Sequence, residues 1–284
     1  MNKKNAKIAW ITDTTSTLSQ EYIEYHHIHV VPLQVIINQQ SYKETVDITA
    51  QTFYERMEMK EGSFQTSLPS LGEFINLYES LKKEYDYGIA FHCSSELSGT
   101  FSTSVMGAKE AGFKLIAIDT KSGSYPHSFL IKKGIELIEQ GFSVDEMVEQ
   151  IEELIGRTRL FLIPSNLNQL HKSGRVSGSQ RLIANLLNIK PILSIEPDGA
   201  KIREKVRTDK KAFGWIIDQI KEDMNKYKVN KIVIVHANAI HNAERLQQTI
   251  HNTFPGIDTE LMILIPVAGV HTGVGTLGLS WVCE

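Results

Sequence analysis

Short apolar runs alternate with helical periodicity along the first half of the chain. Each of three runs precedes a hydroxyl-rich stretch and then a helix-like segment, and the runs lie at residues 7–12, 88–93 and 113–118. Strands that alternate with helices predict a parallel sheet. Because the carboxyl ends of parallel strands meet at one edge, we expect the loops at residues 13–16, 94–99 and 119–124 to converge on one crevice.

Two segments show the apolar stripe of a core-facing helix. The first stripe consists of Leu71, Phe74, Ile75, Tyr78 and Leu81. The second follows a capping box at residues 143–146 (SVDE) and consists of Met147, Val148, Ile151, Leu154 and Ile155. Both spacings predict helices that pack on the sheet.

The second half of the chain has a different pattern. Apolar runs at residues 191–196 and 201–206 flank a Pro-Asp-Gly turn and predict a hairpin. Further periodicity predicts a helix at 213–224, a strand at 231–235, a helix at 243–250 and a strand at 261–265. We therefore predict an α/β protein with two domains, residues 1–164 and 165–284, divided near Pro164.

Composition excludes several classes of protein. The 284 residues suit two domains, and 42% hydrophobic with 22% charged residues is typical of a globular chain. A formal charge of -3 argues against a nucleic-acid binder. No apolar run reaches the roughly 20 residues that span a bilayer, and no signal segment is evident, so we expect a cytoplasmic protein.

Cysteine and histidine spacing argues against a metal site. Cys93 and Cys283 are too few and too far apart for a disulfide framework or a thiolate cluster, and we expect both to be reduced core thiols. The histidines show no spacing typical of metal ligands. We expect neither a metal nor a cofactor.

Two hydroxyl-rich motifs are candidates for an anion site. In residues 66–70 (TSLPS), helix capping explains Ser70 but not Thr66 and Ser67, which lie outside the following helix. In residues 94–100 (SSELSGT), one hydroxyl would suffice as a cap, and the remaining ones, beginning with Ser94, favour a ligand near a helix N-terminus.

Glycines and basic residues mark three further motifs. Residues 271–278 (HTGVGTLG) suggest a loop held close to another group, but they lack the lysine of a Walker motif and the spacing of a dinucleotide fingerprint. Basic residues cluster at 172–175 (KSGR) and 207–211 (RTDKK), where surface solubility is the simpler explanation.

Together these motifs resemble the DegV family in order and spacing. The resemblance covers nearly the whole chain and rests on residues 13–16, 66–70, 94–100, 172–175, 207–211 and 271–275. It implies a two-domain fold with an N-terminal three-layer parallel-sheet domain and a C-terminal α/β domain with a mixed sheet. It also implies one long-chain fatty acid buried between the domains.

The resemblance further implies residue roles and a partner. Thr66, Ser95 and His271 match positions that hold the fatty-acid carboxylate. The other ligand-binding candidates are Ser67, Ser94, Arg207 and Gly273, and the partner-binding candidates are Lys172 and Arg175. The partner implied is a fatty-acid kinase subunit, related to dihydroxyacetone kinases, that phosphorylates the carboxylate with ATP in a bacterial fatty-acid kinase system. Transient contact with a membrane surface stays open.

The chain departs from the family pattern at several positions. Leu68 stands where the family usually has Gln, Glu96 where it has Gly and Val274 where it has Pro, and residues 124–127 (SYPH) interrupt a Gly-rich stretch. A carboxylate at Glu96 would disfavour a bound anion if it pointed inward.

Two alternatives remain open from the residues. Ser95 or Thr66 with His271 could act as nucleophile and base in an ester or thioester hydrolase, although no third member can be named. The ligand could also be another lipid or a phosphorylated metabolite, in view of Glu96 and Leu68.

Overall fold

The fold consists of three sheets with helices packed between and around them. The computed structural model describes residues 6–60, 62–176 and 189–284. The strands are β1 (Ile8–Asp13), β2 (His29–Val31), β3 (Gln34–Ile37), β4 (Gln40–Lys43), β5 (Phe64–Ser67), β6 (Tyr87–His92), β7 (Leu115–Asp119), β8 (Thr158–Ile163), β9 (Lys190–Glu196), β10 (Gly199–Val206), β11 (Lys231–His236), β12 (Asp258–Ile263) and β13 (Leu277–Val282). The helices are α1 (Gln20–Tyr25), α2 (Ala50–Glu58), α3 (Leu71–Leu81), α4 (Thr100–Ala111), α5 (Ser124–Glu139), α6 (Val144–Ile155), α7 (Leu167–Ser173), α8 (Asp209–Met224), α9 (Ile240–Thr253) and α10 (Pro266–Thr272).

The predicted parallel sheet is present and has the order β2-β1-β6-β7. Alternate residues of its strands face opposite layers. Ile11 and Ala90 pack against α3 and α4, whereas Ile89 and Phe91 pack against α5 and α6. This is the three-layer arrangement that the resemblance implies.

The capping box predicted at residues 143–146 and the helix cap predicted at Ser70 both form, and Ser70 also belongs to a full capping box. Ser70 accepts a hydrogen bond from the Glu73 backbone at α3, and Ser143 does the same with Glu146 at α6. Each glutamate carboxylate in turn accepts from the backbone N–H of its serine. The two helix predictions are therefore confirmed, including their starting residues.

The second sheet is mixed and has the order β10-β9-β8-β13-β11-β12. The predicted hairpin is β9 and β10, which pair antiparallel around the Gly199 turn. β8 also belongs to this sheet, because it pairs with β13 and β9. The chain thus passes from the layers of the parallel sheet to the mixed sheet between Ile155 and Thr158. The domain boundary was predicted slightly later, near Pro164.

A small third sheet, in the order β4-β3-β5, was not predicted. Its strands are short and partly polar, so their periodicity is weak. Asn38 and Gln39 join β3 to β4 with φ of 50° and 69°, the left-handed pair that favours tight hairpins. The sheet packs against α2 and α10, where the Tyr54 hydroxyl donates to the Leu264 carbonyl over 2.8 Å.

Glu44 connects all three parts of the fold through its buried carboxyl group. The carboxyl accepts from the Thr14 hydroxyl, which follows β1, and from the Val267 backbone N–H over 2.8 Å, at the start of α10. The Glu44 backbone N–H donates to the Leu33 carbonyl over 2.9 Å. Burial raises the pKa of this carboxyl to about 7, and the nearby Asp13 charge contributes.

Among the described residues, no helix combines the length and apolar character needed to cross a membrane.

We predict that Glu44 makes the stability of the protein fall as pH rises. Its pKa is raised from 4.5 to about 7 on folding, so between these values the unfolded chain binds fewer protons than the folded chain. This shift corresponds to a loss on the order of 3 kcal/mol across that range. Glu44→Gln cannot release a proton and should lack this loss.

The measurement is the free energy of unfolding by denaturant at a series of pH values for both proteins. The wild type should lose more stability than Glu44→Gln between pH 4.5 and about 7. Parallel curves would show that Glu44 titrates normally in the folded state.

Candidate functional site

A cavity of about 300 Å³ lies between the parallel sheet and the mixed sheet. Most of its lining is apolar, as is usual for small-molecule sites. The apolar wall of the mixed sheet consists of Leu160, Leu162, Leu193, Ile195 and Ala200. The cavity thus offers a long aliphatic surface closed on the opposite side by polar loops.

The three hydroxyl-rich loops converge on this cavity as predicted. Thr15 comes from the loop after β1, Ser98 and Gly99 from the loop after β6, and residues 122–124 from the loop after β7. All three loops follow carboxyl ends of adjacent parallel strands.

Thr66 and His271 meet on the cavity wall although they are 205 positions apart. The Thr66 Oγ1 atom lies 3.2 Å from the His271 Nε2 atom. Thr66 is held by β5, and His271 lies in the last turn of α10. A hydroxyl and an imidazole side by side can both donate hydrogen bonds to one carboxylate.

His271 is neutral in this environment. Burial and, to a smaller extent, the nearby Arg175 charge lower the pKa of its imidazole to about 4. Arg175 itself lines the cavity. The site therefore combines a neutral N–H donor, a hydroxyl and a nearby guanidinium, a set that suits an anion better than a cation.

Gly273 shapes the end of α10 and does not line the cavity. Its φ is +90°, and a Cβ atom there would lie 2.6 Å from the Cβ atom of Asn166. The close approach requires glycine. Gly273 thus positions the His271 turn against the start of α7, and its role as a ligand residue stays a prediction.

The other predicted ligand residues divide into two groups. Ser67 lines the cavity with Thr66. Ser94 is buried behind the wall, where its backbone N–H donates to the Ser122 carbonyl over 2.9 Å. Arg207 is exposed just beyond β10, outside the lining.

Ser95 also lies outside the cavity lining, and the carboxylate role predicted for it stays a prediction. Its side chain is exposed, and its hydroxyl accepts from the Lys121 ammonium over 3.4 Å. Its backbone N–H donates to the Asp119 carboxylate over 3.2 Å. Ser98, three positions later, lines the cavity instead.

Of the two basic residues predicted to contact a partner, only Arg175 has a side chain that the structure describes. Arg175 lies at the cavity, so a contact with the ligand is open to it as well. The side chain of Lys172 lies outside the described residues, and its role stays a prediction.

Sequence reasoning missed several polar residues of the cavity wall. These are Thr15, Ser98, Ser122, Ser124 and Thr272. Their loops were identified, but the direction of each side chain depends on local turns. A usable signal for Ser98 was its place directly before Gly99, the residue that caps α4.

The departures from the family pattern do not place a charge in the cavity. Glu96 is exposed outside the lining and lies beside Gly199 of the hairpin turn. Leu68 lines the cavity and approaches Gly99, which adds apolar surface. Val274 is half-buried against the cluster around α2 and α10.

A Ser–His–Asp arrangement exists in the fold but lies away from the cavity. The Ser104 hydroxyl lies 2.7 Å from His92 Nε2, and His92 Nδ1 lies 3.0 Å from the Asp13 carboxylate. All three side chains are fully buried, and Ser104 is also bonded to the Tyr78 hydroxyl over 2.5 Å. A nucleophile must reach its substrate, so this arrangement is a structural network.

Asp13 anchors the loop that carries Thr15. Burial would raise the pKa of its carboxyl, but His92, His127 and Thr15 hold it at about 2. The Thr15 backbone N–H and the Cys93 backbone N–H both donate to this carboxylate, over 3.0 and 3.1 Å. One end of the cavity therefore lies near a buried negative charge.

Comparison with known proteins identifies the family. A family model described as "Uncharacterised protein, DegV family" matches residues 7–284. A DegV domain-containing protein of Staphylococcus aureus is 35% identical over 269 residues, which are 95% of this chain and 96% of that protein. The crystal structure of DegV, a fatty acid binding protein from Bacillus subtilis, superposes with a TM-score of 0.89 at 31% identity, covering 99% of this chain and 100% of that one. A fatty acid binding DegV family protein from Streptococcus agalactiae gives a TM-score of 0.90 at 27% identity, covering 99% and 100%. The chain therefore belongs to the DegV family.

Proposed function

We propose that this protein binds one long-chain fatty acid and presents its carboxylate to a separate ATP-dependent kinase subunit. The observation that carries the proposal is an apolar cavity whose wall holds the Thr66–His271 pair beside Arg175. The acyl chain would lie along the leucine-rich wall of the mixed sheet. The carboxylate would accept hydrogen bonds from the Thr66 hydroxyl and the His271 imidazole.

The energetics suit such a ligand. Burial of about sixteen carbons at roughly 0.8 kcal/mol each contributes on the order of 12 kcal/mol before the costs of association. A carboxylate that enters an apolar site needs donors, and Thr66 and His271 supply them. The acyl chain thus provides affinity, and the carboxylate fixes the orientation of the ligand.

Solved relatives support the same ligand class. The similar structures from Bacillus subtilis and Streptococcus agalactiae are both described as fatty acid binding proteins. The transfer of phosphate from ATP by a partner rests on the family resemblance. The present chain would act as the carrier, without chemistry of its own.

The alternatives fit the geometry less well. Ser95 lies outside the cavity, and the buried Ser104 arrangement cannot meet a substrate there, so a hydrolase would have to rely on Thr66 and His271. No carboxylate among the described residues is hydrogen-bonded to His271, as the base of a triad requires. A phosphorylated metabolite would leave most of the aliphatic wall in contact with polar groups.

The first test is mass spectrometry of the small molecules released when the purified protein is denatured. We expect a fatty acid in about equimolar amount, because a mostly apolar cavity favours retention of an acyl chain. A phosphorylated metabolite in its place, or no bound acid and no uptake of added acids, would contradict the proposal.

We predict that Thr66→Ala and His271→Ala each weaken fatty-acid binding about tenfold to a hundredfold, as expected for the loss of a hydrogen bond to a charged group. Ser95→Ala is the matched control, because Ser95 was predicted in the site but lies outside the cavity. Titration calorimetry with delipidated protein measures all three. Equal affinities for Thr66→Ala, His271→Ala and the wild type would remove the head-group assignment.

We predict that Arg175→Gln weakens acid binding about tenfold, because it removes a cation that lines the cavity near His271. Arg207→Gln is the control, since Arg207 is an exposed arginine outside the lining. The second readout is acyl phosphate formation by a fatty-acid kinase subunit with ATP. Unchanged affinity with lost phosphate transfer in Arg175→Gln would assign Arg175 to the partner surface instead.

A further inference from the structure

A second polar spot lies on the wall of the cavity, at the loop after β7. It consists of Ser122 and Ser124, here called the serine pair, with exposures of 2% and 5%. Both residues line the cavity, and neither contacts the Thr66–His271 pair. Their hydroxyls therefore face an apolar space where hydrogen-bond partners are scarce.

The serine pair has weak partners inside the protein. The Ser122 hydroxyl lies 3.5 Å from the Gly123 carbonyl, beyond the usual range for a hydroxyl donor. The Ser124 hydroxyl lies 3.4 Å from the sulfur of Met262, a weak acceptor. Buried hydroxyls normally have full partners, so both keep a capacity to bond to a ligand.

The backbone at this spot also offers donors. The N-cap residue of the sixteen-residue helix α5 is Gly123, which has no side chain to accept hydrogen bonds from the first N–H groups of that helix. Pro126 has no N–H, so the backbone donors next to the two serine hydroxyls are the N–H groups of Ser124 and Tyr125. An oxygen atom of a ligand could accept from them together.

Ser124 is held in a strained conformation. Its φ is +56°, in the left-handed region where glycine is favoured and other residues cost about 1 to 2 kcal/mol. A glycine would fit this turn with less strain. The serine that the sequence places there lines the cavity, which is consistent with a use for its side chain.

The charge of nearby groups determines which kind of ligand oxygen can bind at this spot. Thr15 lies beside Gly123, because its Cβ atom is 3.9 Å from the position that a Cβ atom on Gly123 would occupy. The Thr15 hydroxyl donates a hydrogen bond to the ionised Asp13 carboxylate. A second carboxylate would be repelled at this end. The cation that lines the cavity near His271 is Arg175, so the head group is favoured there and a neutral oxygen here.

We propose that the serine pair is a second polar subsite that recognises a neutral oxygen, a hydroxyl or keto group, on the acyl chain of the bound acid. The inference rests on the proposed function and narrows its ligand class to oxygenated long-chain acids. The carboxylate stays at Thr66 and His271, and the oxygen along the chain accepts from Ser122 and Ser124.

The test compares stearic acid with a set of monohydroxystearic acids that differ in the position of the hydroxyl group. At least one isomer should bind the wild type about threefold to tenfold more tightly than stearic acid, the value of one added hydrogen bond. In Ser124→Gly the ratio of the two affinities should fall to about one. The glycine suits the turn, so the fold is kept.

Thr17→Gly is the matched control. Thr17 also has a left-handed backbone, with φ of 51°, and its hydroxyl also contacts the Met262 sulfur, over 3.1 Å, but it does not line the cavity. This variant should keep the wild-type ratio. A changed ratio in Thr17→Gly would show that backbone strain or the Met262 contact, and not the hydroxyl in the cavity, sets the preference.

The outcomes separate the inference from the proposed function. If stearic acid binds and no isomer binds more tightly, the subsite is wrong and the fatty-acid function stands. If the preference survives in both Ser124→Gly and Ser122→Ala, the oxygen is recognised elsewhere and the inference fails. If no acid binds the wild type, the proposed function fails and the inference fails with it.

Discussion

The buried carboxylate of Asp13 is the interaction on which the crevice depends. An unpaired charge in a protein interior costs several kcal/mol, so the chain must bring donors to it. These donors are the backbone N–H groups of Thr15 and Cys93, the Thr15 hydroxyl and the His92 ring. Because Cys93 and His92 belong to the end of β6, one carboxylate at the end of β1 holds two of the three cavity loops in register. The shape of the polar side of the cavity follows from that requirement.

The short helix α10 has the corresponding role for the part of the cavity wall that contains His271. It is tied at its start to Glu44, and Tyr54 fixes the segment before it. At its end Gly273 permits contact with the loop before α7. His271, in the last turn of this helix, is therefore held in place beside Thr66 of β5. The charge beside the cavity differs between two places: the Asp13 carboxylate lies behind Thr15, and the Arg175 guanidinium lies near His271.

The sequence predicted those parts of the structure in which a local pattern determines the outcome. The capping box at Ser143 and the hairpin at Gly199 depend on residues close together in the chain, and both are present. The site is different, because side-chain direction in a loop is set by distant contacts. Ser95 was selected over Ser98, yet the Asp119 carboxylate draws the Ser95 backbone outward and Ser98 faces the cavity. The small sheet was missed for a related reason: its strands are stabilised by packing on α2 and α10, which periodicity within four residues cannot reveal.

The walls of the cavity come from segments as distant as Leu33 and Thr272 in the sequence. Such a surface exists only in the folded chain, since no local segment contains enough of it to hold an acyl group. A ligand that fills it must then shift the folding equilibrium by mass action, by about 2.7 kcal/mol when its free concentration is a hundred times its dissociation constant. If the proposed ligand is bound, thermal stability depends on the supply of that ligand as well as on the sequence, and a chain without it would be the form most open to proteolysis.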